Sequence, residues 1–98
     1  MQIIRLLDAV KSRPSLYLSE VTPSCADSFI IGFHAAYQLL APEPLEFGAA
    51  RSRAAEARGW RTTILGQEMR KRGLSDAECV SEMLAVEIDA WSELMSKK

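Results

Sequence analysis

The side chains able to act as nucleophile or base are few, namely His34, Cys25 and Cys79. A cysteine–histidine pair would support nucleophilic catalysis, with the thiolate attacking and the imidazole moving the proton. Neither cysteine has an adjoining basic residue to activate it, and His34 follows Phe33 in an apolar stretch. We therefore expect no catalytic residues and no enzyme activity, with His34 at the core or its boundary and both cysteines buried as small hydrophobes.

The chain also lacks the short motifs that carry common chemistries. It contains no GxSxG, no P-loop, no GxGxxG and no HExxH. A zinc site takes about four ligands, which one histidine and two distant cysteines do not supply. We therefore expect no metal and no cofactor.

Four carboxylates, termed here the acidic stripe, recur at helical spacing near the end of the chain: Glu78, Glu82, Asp89 and Glu93. At about 100° per residue they fall within roughly 60° of one another. Each pair of like charges four residues apart, Glu78 with Glu82 and Asp89 with Glu93, lowers the stability of the helix by a few tenths of a kcal/mol. Either the stripe is a solvated face, or it is a docking surface for a basic partner, and we take it as the candidate partner-binding site.

Glu87 belongs to the same predicted helix but falls in the middle of its apolar face. A carboxylate that faces a core must be paired or protonated. We interpret Glu87 as structural, with Arg5, Arg13 and Arg61 as candidate partners.

Residues 51–72 hold seven basic residues against two acidic ones, whereas residues 73–96 hold six acidic residues and no basic one. Trp60 stands among the arginines, so nucleic-acid binding by the segment Arg51–Arg72 is the alternative function. The net charge of −1 and the pI of about 5.8 argue against it. A further option is a homodimer in which this segment pairs with the acidic stripe of a second copy.

Apolar periodicity predicts an all-α fold of about five helices. The predicted helices cover residues 2–12, 23–40, about 45–58, from 62 or 63 to 72, and 76–96. Helix 23–40 is apolar most of the way round, so we place it with helix 76–96 at the centre. Gly32 in its middle would permit a close helix crossing.

Local signals define several helix ends. Thr22-Pro23 is typical of an N-cap followed by proline in the first turn. Gly59 and the pair Gly73-Leu74 indicate helix C-termini. Ser75 with Glu78 three residues later forms a capping box that opens the last helix.

Length and composition indicate one soluble globular domain over residues 1–98. Hydrophobic residues make up 48 % of the chain and charged residues 26 %, and no apolar run reaches the about 20 residues of a membrane span. The first residues lack the pattern of a signal peptide, so we expect a cytoplasmic protein that does not bind membranes.

The stretch Arg13-Pro14-Ser15-Leu16-Tyr17-Leu18, followed by Phe29-Ile30-Ile31-Gly32-Phe33, resembles small immunity proteins of bacterial polymorphic toxin systems, including contact-dependent growth inhibition. Gly59-Trp60 and the acid-rich segment Asp76–Glu93 extend the resemblance more loosely. Two departures are Ser19, where the pattern has glycine, and the more basic segment 51–61.

The resemblance implies non-covalent neutralisation of a cognate toxin domain in the cytoplasm. Many such toxins are nucleases, and an acidic helix face would mimic their nucleic acid substrate. Such inhibitors need neither catalytic residues nor a cofactor. Arg13 and Tyr17 are then structural, anchoring the connector to the core, as are Gly32, Trp60 and Glu87.

Overall fold

The computed structural model describes residues 2–40, 46–60 and 65–96. Five α-helices are connected by short segments, and the described part contains no strand. The helices are α1 (Gln2–Ser12), α2 (Pro23–Leu40), α3 (Phe47–Ala57), α4 (Leu65–Lys71) and α5 (Asp76–Ser96). The chain is thus an all-α single domain, as the periodicity predicts.

Helix N-termini form where the sequence supplies hydroxyl caps. The Oγ1 atom of Thr22 accepts a hydrogen bond from the backbone N–H of Cys25 at 3.3 Å, ahead of Pro23 in the first turn of α2. At α5, Ser75 Oγ accepts from the N–H of Glu78 at 3.2 Å, and the Glu78 carboxylate accepts from the N–H of Ser75 at 2.9 Å. These bonds lower the pKa of Glu78. The N-cap and the capping box are confirmed.

Two helices end in the glycine motif that the sequence indicates. Gly59 and Gly73 have φ of +89° and +90°, a backbone conformation that costs residues with a Cβ more than glycine. After each glycine, the next N–H bonds five residues back, from Trp60 to Ala55 at 2.9 Å and from Leu74 to Met69 at 3.1 Å. Both are Schellman motifs, and both place a hydrophobic side chain against the helix that has just ended.

The observed helix bounds and connector differ in detail from the expected ones. Helix α3 ends at Ala57 and α4 at Lys71, each one residue early. The expected starts of the third and fourth helices, and the prolines at 42 and 44, lie outside the described residues. The connector, residues 13–22 between α1 and α2, contains a 3₁₀ turn at Pro14–Leu16.

Helix α5 is the centre of the domain. Ten of its residues are buried, and it packs against the four other helices. Burial extends beyond the apolar face around Glu87 to Cys79, Val86 and Ala90, which border the acidic stripe. The reason is α3, whose small residues Ala50 and Ala54 allow it to cover this second side of α5.

Helix α2, in contrast, is not enclosed as its composition suggested. Only Pro23, Ala26 and Ile30 are buried in it. It packs on α5 with one side and leaves the other exposed, so an apolar composition on both sides did not produce a central helix here. Gly32 makes no close crossing, since a Cβ added there would meet no atom within 4 Å.

The capping box generates a stability prediction. Ser75→Ala removes the hydroxyl that caps α5, and we expect a loss of about 1 kcal/mol in the free energy of unfolding, measured by urea denaturation. Ser92→Ala is the matched control, because the Ser92 hydroxyl only bonds back to the Ile88 carbonyl within the same helix. Equal stability of the two variants would contradict a capping role for Ser75.

Candidate functional site

The acidic stripe is largely ion-paired within the chain. Arg58 bonds Glu82 at 2.6 Å and Asp89 at 3.3 Å. Arg53 makes a bidentate contact with Glu93, donating two hydrogen bonds to its carboxylate at 2.7 and 2.6 Å. The fourth member, Glu78, caps α5 as described above, so all four carboxylates of the stripe have partners within the chain.

The basic segment is engaged in the same way. Five of its arginines lie within ion-pair distance of carboxylates: Arg51, Arg53, Arg58, Arg70 and Arg72. Arg51, Arg53 and Arg58 pair with carboxylates of α5 in the same chain, which removes the charge-pairing argument for a homodimer. Arg61 lies outside the described residues.

Glu87 is the one buried charged residue in the described part of the chain, with 1 % of its side chain exposed. Its Oε2 lies 2.8 Å from Nε2 of His34 on α2, and its Oε1 lies 3.6 Å from Nε of Arg51 on α3. Three helices therefore meet at one carboxylate. The expected partners Arg5 and Arg13 are wrong, because α2 and α3 cover this turn of α5. The third expected partner, Arg61, lies outside the described residues.

Aromatic rings surround this ionic contact. The His34 and Phe47 ring centroids are 3.8 Å apart. Trp91, one turn after Glu87, packs against Tyr37 at 4.8 Å and Phe47 at 4.9 Å. Because His34 bonds Glu87 and sits among these rings, it is a packed and paired histidine at the boundary of the core.

The other residues interpreted as structural differ in their surroundings. Trp60 is buried, donates to Glu82 at 3.4 Å and carries the Arg72 guanidinium 4.6 Å from its ring centre. Arg13 and Tyr17 bond through the backbone of the 3₁₀ turn, and the Tyr17 ring is exposed. The expected anchoring of the connector rests instead on Leu18, which is buried.

The structure brings out a surface that sequence reasoning missed. We define the α2 outer surface as the exposed residues Ser28, Ile31, Gly32, Ala35 and Leu39. They recur at spacings of three and four and so form one stripe along the helix. Ile31 is 59 % exposed and Leu39 87 %, and no member carries a charge. The apolar residues of this stripe are visible in the sequence, but an apolar helix predicts burial and so does not distinguish the exposed side.

The two cysteines have different environments. Cys79 is buried, and its burial raises the pKa of its thiol. Cys25 is partly exposed, so the expectation that both are buried is wrong for this one. Hydrogen bonds with the Thr22 and Ser19 side chains lower the pKa of Cys25, and Ser19 Oγ lies 3.7 Å from its sulfur.

Over the described ranges 2–40, 46–60 and 65–96, no three residues among His, Cys, Asp and Glu are grouped so as to hold a metal ion. None of the helices there combines the length and the apolarity needed to cross a bilayer.

Fold and site together define a small all-α domain with a buried ionic centre and an open apolar helix face. No protein-family model matches the chain, and neither characterised proteins nor solved structures give a match.

We expect the contact between Glu87 and His34 to dominate the polar contribution to stability. His34→Ala leaves the buried carboxylate without its hydrogen-bonded partner, which should lower the free energy of unfolding by about 3 kcal/mol in urea denaturation. Arg53→Ala breaks the more exposed pair with Glu93 and should lower the free energy of unfolding by clearly less, because exposed ion pairs contribute little to stability. Similar losses in the free energy of unfolding for the two variants would show that His34 does not stabilise the buried Glu87 carboxylate.

The cysteine environments predict selective alkylation. Under native conditions iodoacetamide should modify Cys25 and spare Cys79, as read by mass spectrometry of peptides. Because the pKa of Cys25 is lowered, its rate should reach half-maximum at a lower pH than in the urea-unfolded chain. Cys25→Ser should abolish the native reaction, and equal native rates at both cysteines would contradict this account.

Proposed function

We propose that this protein is an immunity-type inhibitor, which neutralises a cognate toxin domain by non-covalent contact, and that the α2 outer surface forms the centre of that contact. The observation that carries the proposal is an exposed, uncharged stripe on the side of α2 opposite to its buried residues Ala26 and Ile30. Exposed apolar patches of this kind mark interaction surfaces in soluble proteins.

The resemblance to immunity proteins supports the class of partner. Its more specific part covers residues 3–40, which include all of α2. A protein inhibitor acts by covering a surface of its target, and for that it requires neither a nucleophile nor a metal. The pairing of His34 with Glu87 is consistent with this class, since the histidine is committed to the core.

The acidic stripe is the less favoured contact. Glu82 and Glu93 would have to leave direct bonds to Arg58 and Arg53 to meet a basic partner. Asp89 is the most available member, because its bond to Arg58 is longer and its side chain is 48 % exposed. A contact at Asp89 would therefore act at the rim, affecting association more than affinity.

The alternative function, nucleic-acid binding by the segment Arg51–Arg72, has less support. The carboxylates beside its arginines reduce the positive field that phosphate binding requires. A gel shift at low salt tests this alternative, and strong salt-sensitive binding would favour it.

The test uses co-expression with the product of the adjacent gene, followed by co-purification, measurement of affinity and a growth-protection assay. The double substitution Ile31→Glu and Leu39→Glu should weaken binding by roughly 30-fold or more, since it places charge in the centre of an interface. Because both side chains are exposed, the free energy of unfolding should change by no more than about 0.5 kcal/mol.

The matched control is Leu16→Glu, which puts the same charge on a side chain that is 69 % exposed but lies in the connector. Full affinity in the α2 double variant would contradict the assignment of the surface. If Asp89→Lys lowers the affinity and the α2 double variant does not, the contact lies on the acidic stripe and not on α2. Absence of both binding and protection would overturn the inhibitor proposal itself.

A further inference from the structure

We propose that the cavity between α2, α3, α4 and α5 binds a small organic monocarboxylate, anchored by the guanidinium of Arg51. This site shares no lining residue with the α2 outer surface. It can therefore fail while the proposed function stands, and the reverse also holds.

The cavity has the size and the mixed lining of a small-molecule site. Its volume is about 400 Å³, within the range of such sites. Pro23, Leu65 and Met83 supply an apolar wall, while Thr22 and Gln67 supply hydroxyl and amide groups. A ligand with a hydrocarbon part and one polar end fits this division.

Arg51 lines the cavity, and its guanidinium makes charge contacts but no hydrogen bond with the described residues. Its Nε is 3.6 Å from Glu87 Oε1, and its terminal nitrogen is 3.9 Å from Asp27 Oδ1. Both distances permit charge attraction but exceed hydrogen-bond length. The Glu87 oxygen is itself buried and has no hydrogen-bond partner among the described residues.

The other ion-paired arginines of the described chain differ in this respect. Arg53, Arg58, Arg70 and Arg72 each donate directly to a carboxylate. Arg51 is also the least exposed of these five, with 26 % of its side chain accessible. A partly buried guanidinium with free donors, facing a cavity, is suited to a planar carboxylate that accepts two parallel bonds.

The remaining charges of the lining select for a single negative charge. Asp27 and Arg70 are the other charged residues of the lining, and Arg70 is already bonded to Asp76, which is not part of the lining. Asp27, half-exposed, would repel a second negative charge near Arg51. A monocarboxylate therefore fits better than a phosphate or a dicarboxylate.

The experiment titrates the full chain with phenylacetate and, separately, with the neutral isostere 2-phenylacetamide, followed by amide NMR shifts. Phenylacetate should shift the amides of Thr22–Asp27 and Gly66–Arg70 in a saturable way. It should bind about tenfold more tightly than the amide, the ratio expected for one charge-assisted hydrogen bond. Equal affinity of the two probes, or no saturable shift, would overturn the proposal.

Three variants test whether Arg51 holds the carboxylate of the ligand. Arg51→Gln should weaken phenylacetate binding about tenfold, whereas Arg53→Gln, on the same helix but bonded to Glu93, should leave it unchanged. Asp27→Asn should tighten binding, because it removes the repelling carboxylate. The opposite sign for Asp27→Asn, or equal affinities for the two arginine variants, would contradict anchoring by Arg51.

A second variant covers the case in which Arg51→Gln fails to fold, as judged by circular dichroism. Gln67→Trp fills the cavity from an exposed position without removing a charge. It should abolish the phenylacetate shifts at Thr22–Asp27. Binding that survives this substitution would place the ligand elsewhere and overturn the proposal.

Discussion

One carboxylate in the core constrains how the helices of this domain pack. Helix α5 carries Glu87 into its buried side, where an unpaired charge would cost several kcal/mol. His34 and Arg51 come from α2 and α3, so compensation of this charge requires both helices to lie at defined heights along α5. The aromatic rings of Phe47 and Trp91 then close around the contact.

The same arrangement determines which surfaces remain available. Since α3 must approach Glu87, its arginines also reach the outer carboxylates of α5, and Arg53 and Arg58 neutralise them. The charged side of α5 is thereby used within the fold. Helix α2 reaches Glu87 with His34 on its inner side and has no described helix over its outer side, where Ile31 and Leu39 stay in solvent. Among the described residues, the carboxylates of the acidic stripe are bonded within the chain, whereas the α2 outer surface is open to solvent.

Much of the fold was predictable because its signals are local. A cap or a Schellman ending is specified by two to five neighbouring residues, as at Ser75 and Gly73, and each formed where the sequence placed it. The helices of the described residues follow from periodicity in the same way. The site was less predictable, because Arg58 and Glu82 are 24 residues apart and only the packing of α3 on α5 joins them.

Helix α2 shows a second limit of sequence reasoning. Apolar residues on all sides of a helix indicate that each side packs against another element. They do not indicate whether that element belongs to the same chain or to a partner protein. Here the described chain covers only the side of Ala26 and Ile30. The partner of Glu87 is not predictable for a related reason. Charge alone favours an arginine, but the packing of α2 on α5 brings His34 to the carboxylate.

Amide hydrogen exchange, compared between the free chain and its complex with the product of the adjacent gene, tests the central claim most directly. If the open side of α2 receives the partner, exchange should slow in residues 28–40, and α5 should exchange as it does in the free chain. Slowing confined to α5 and the arginines of α3, with α2 unchanged, would contradict the account.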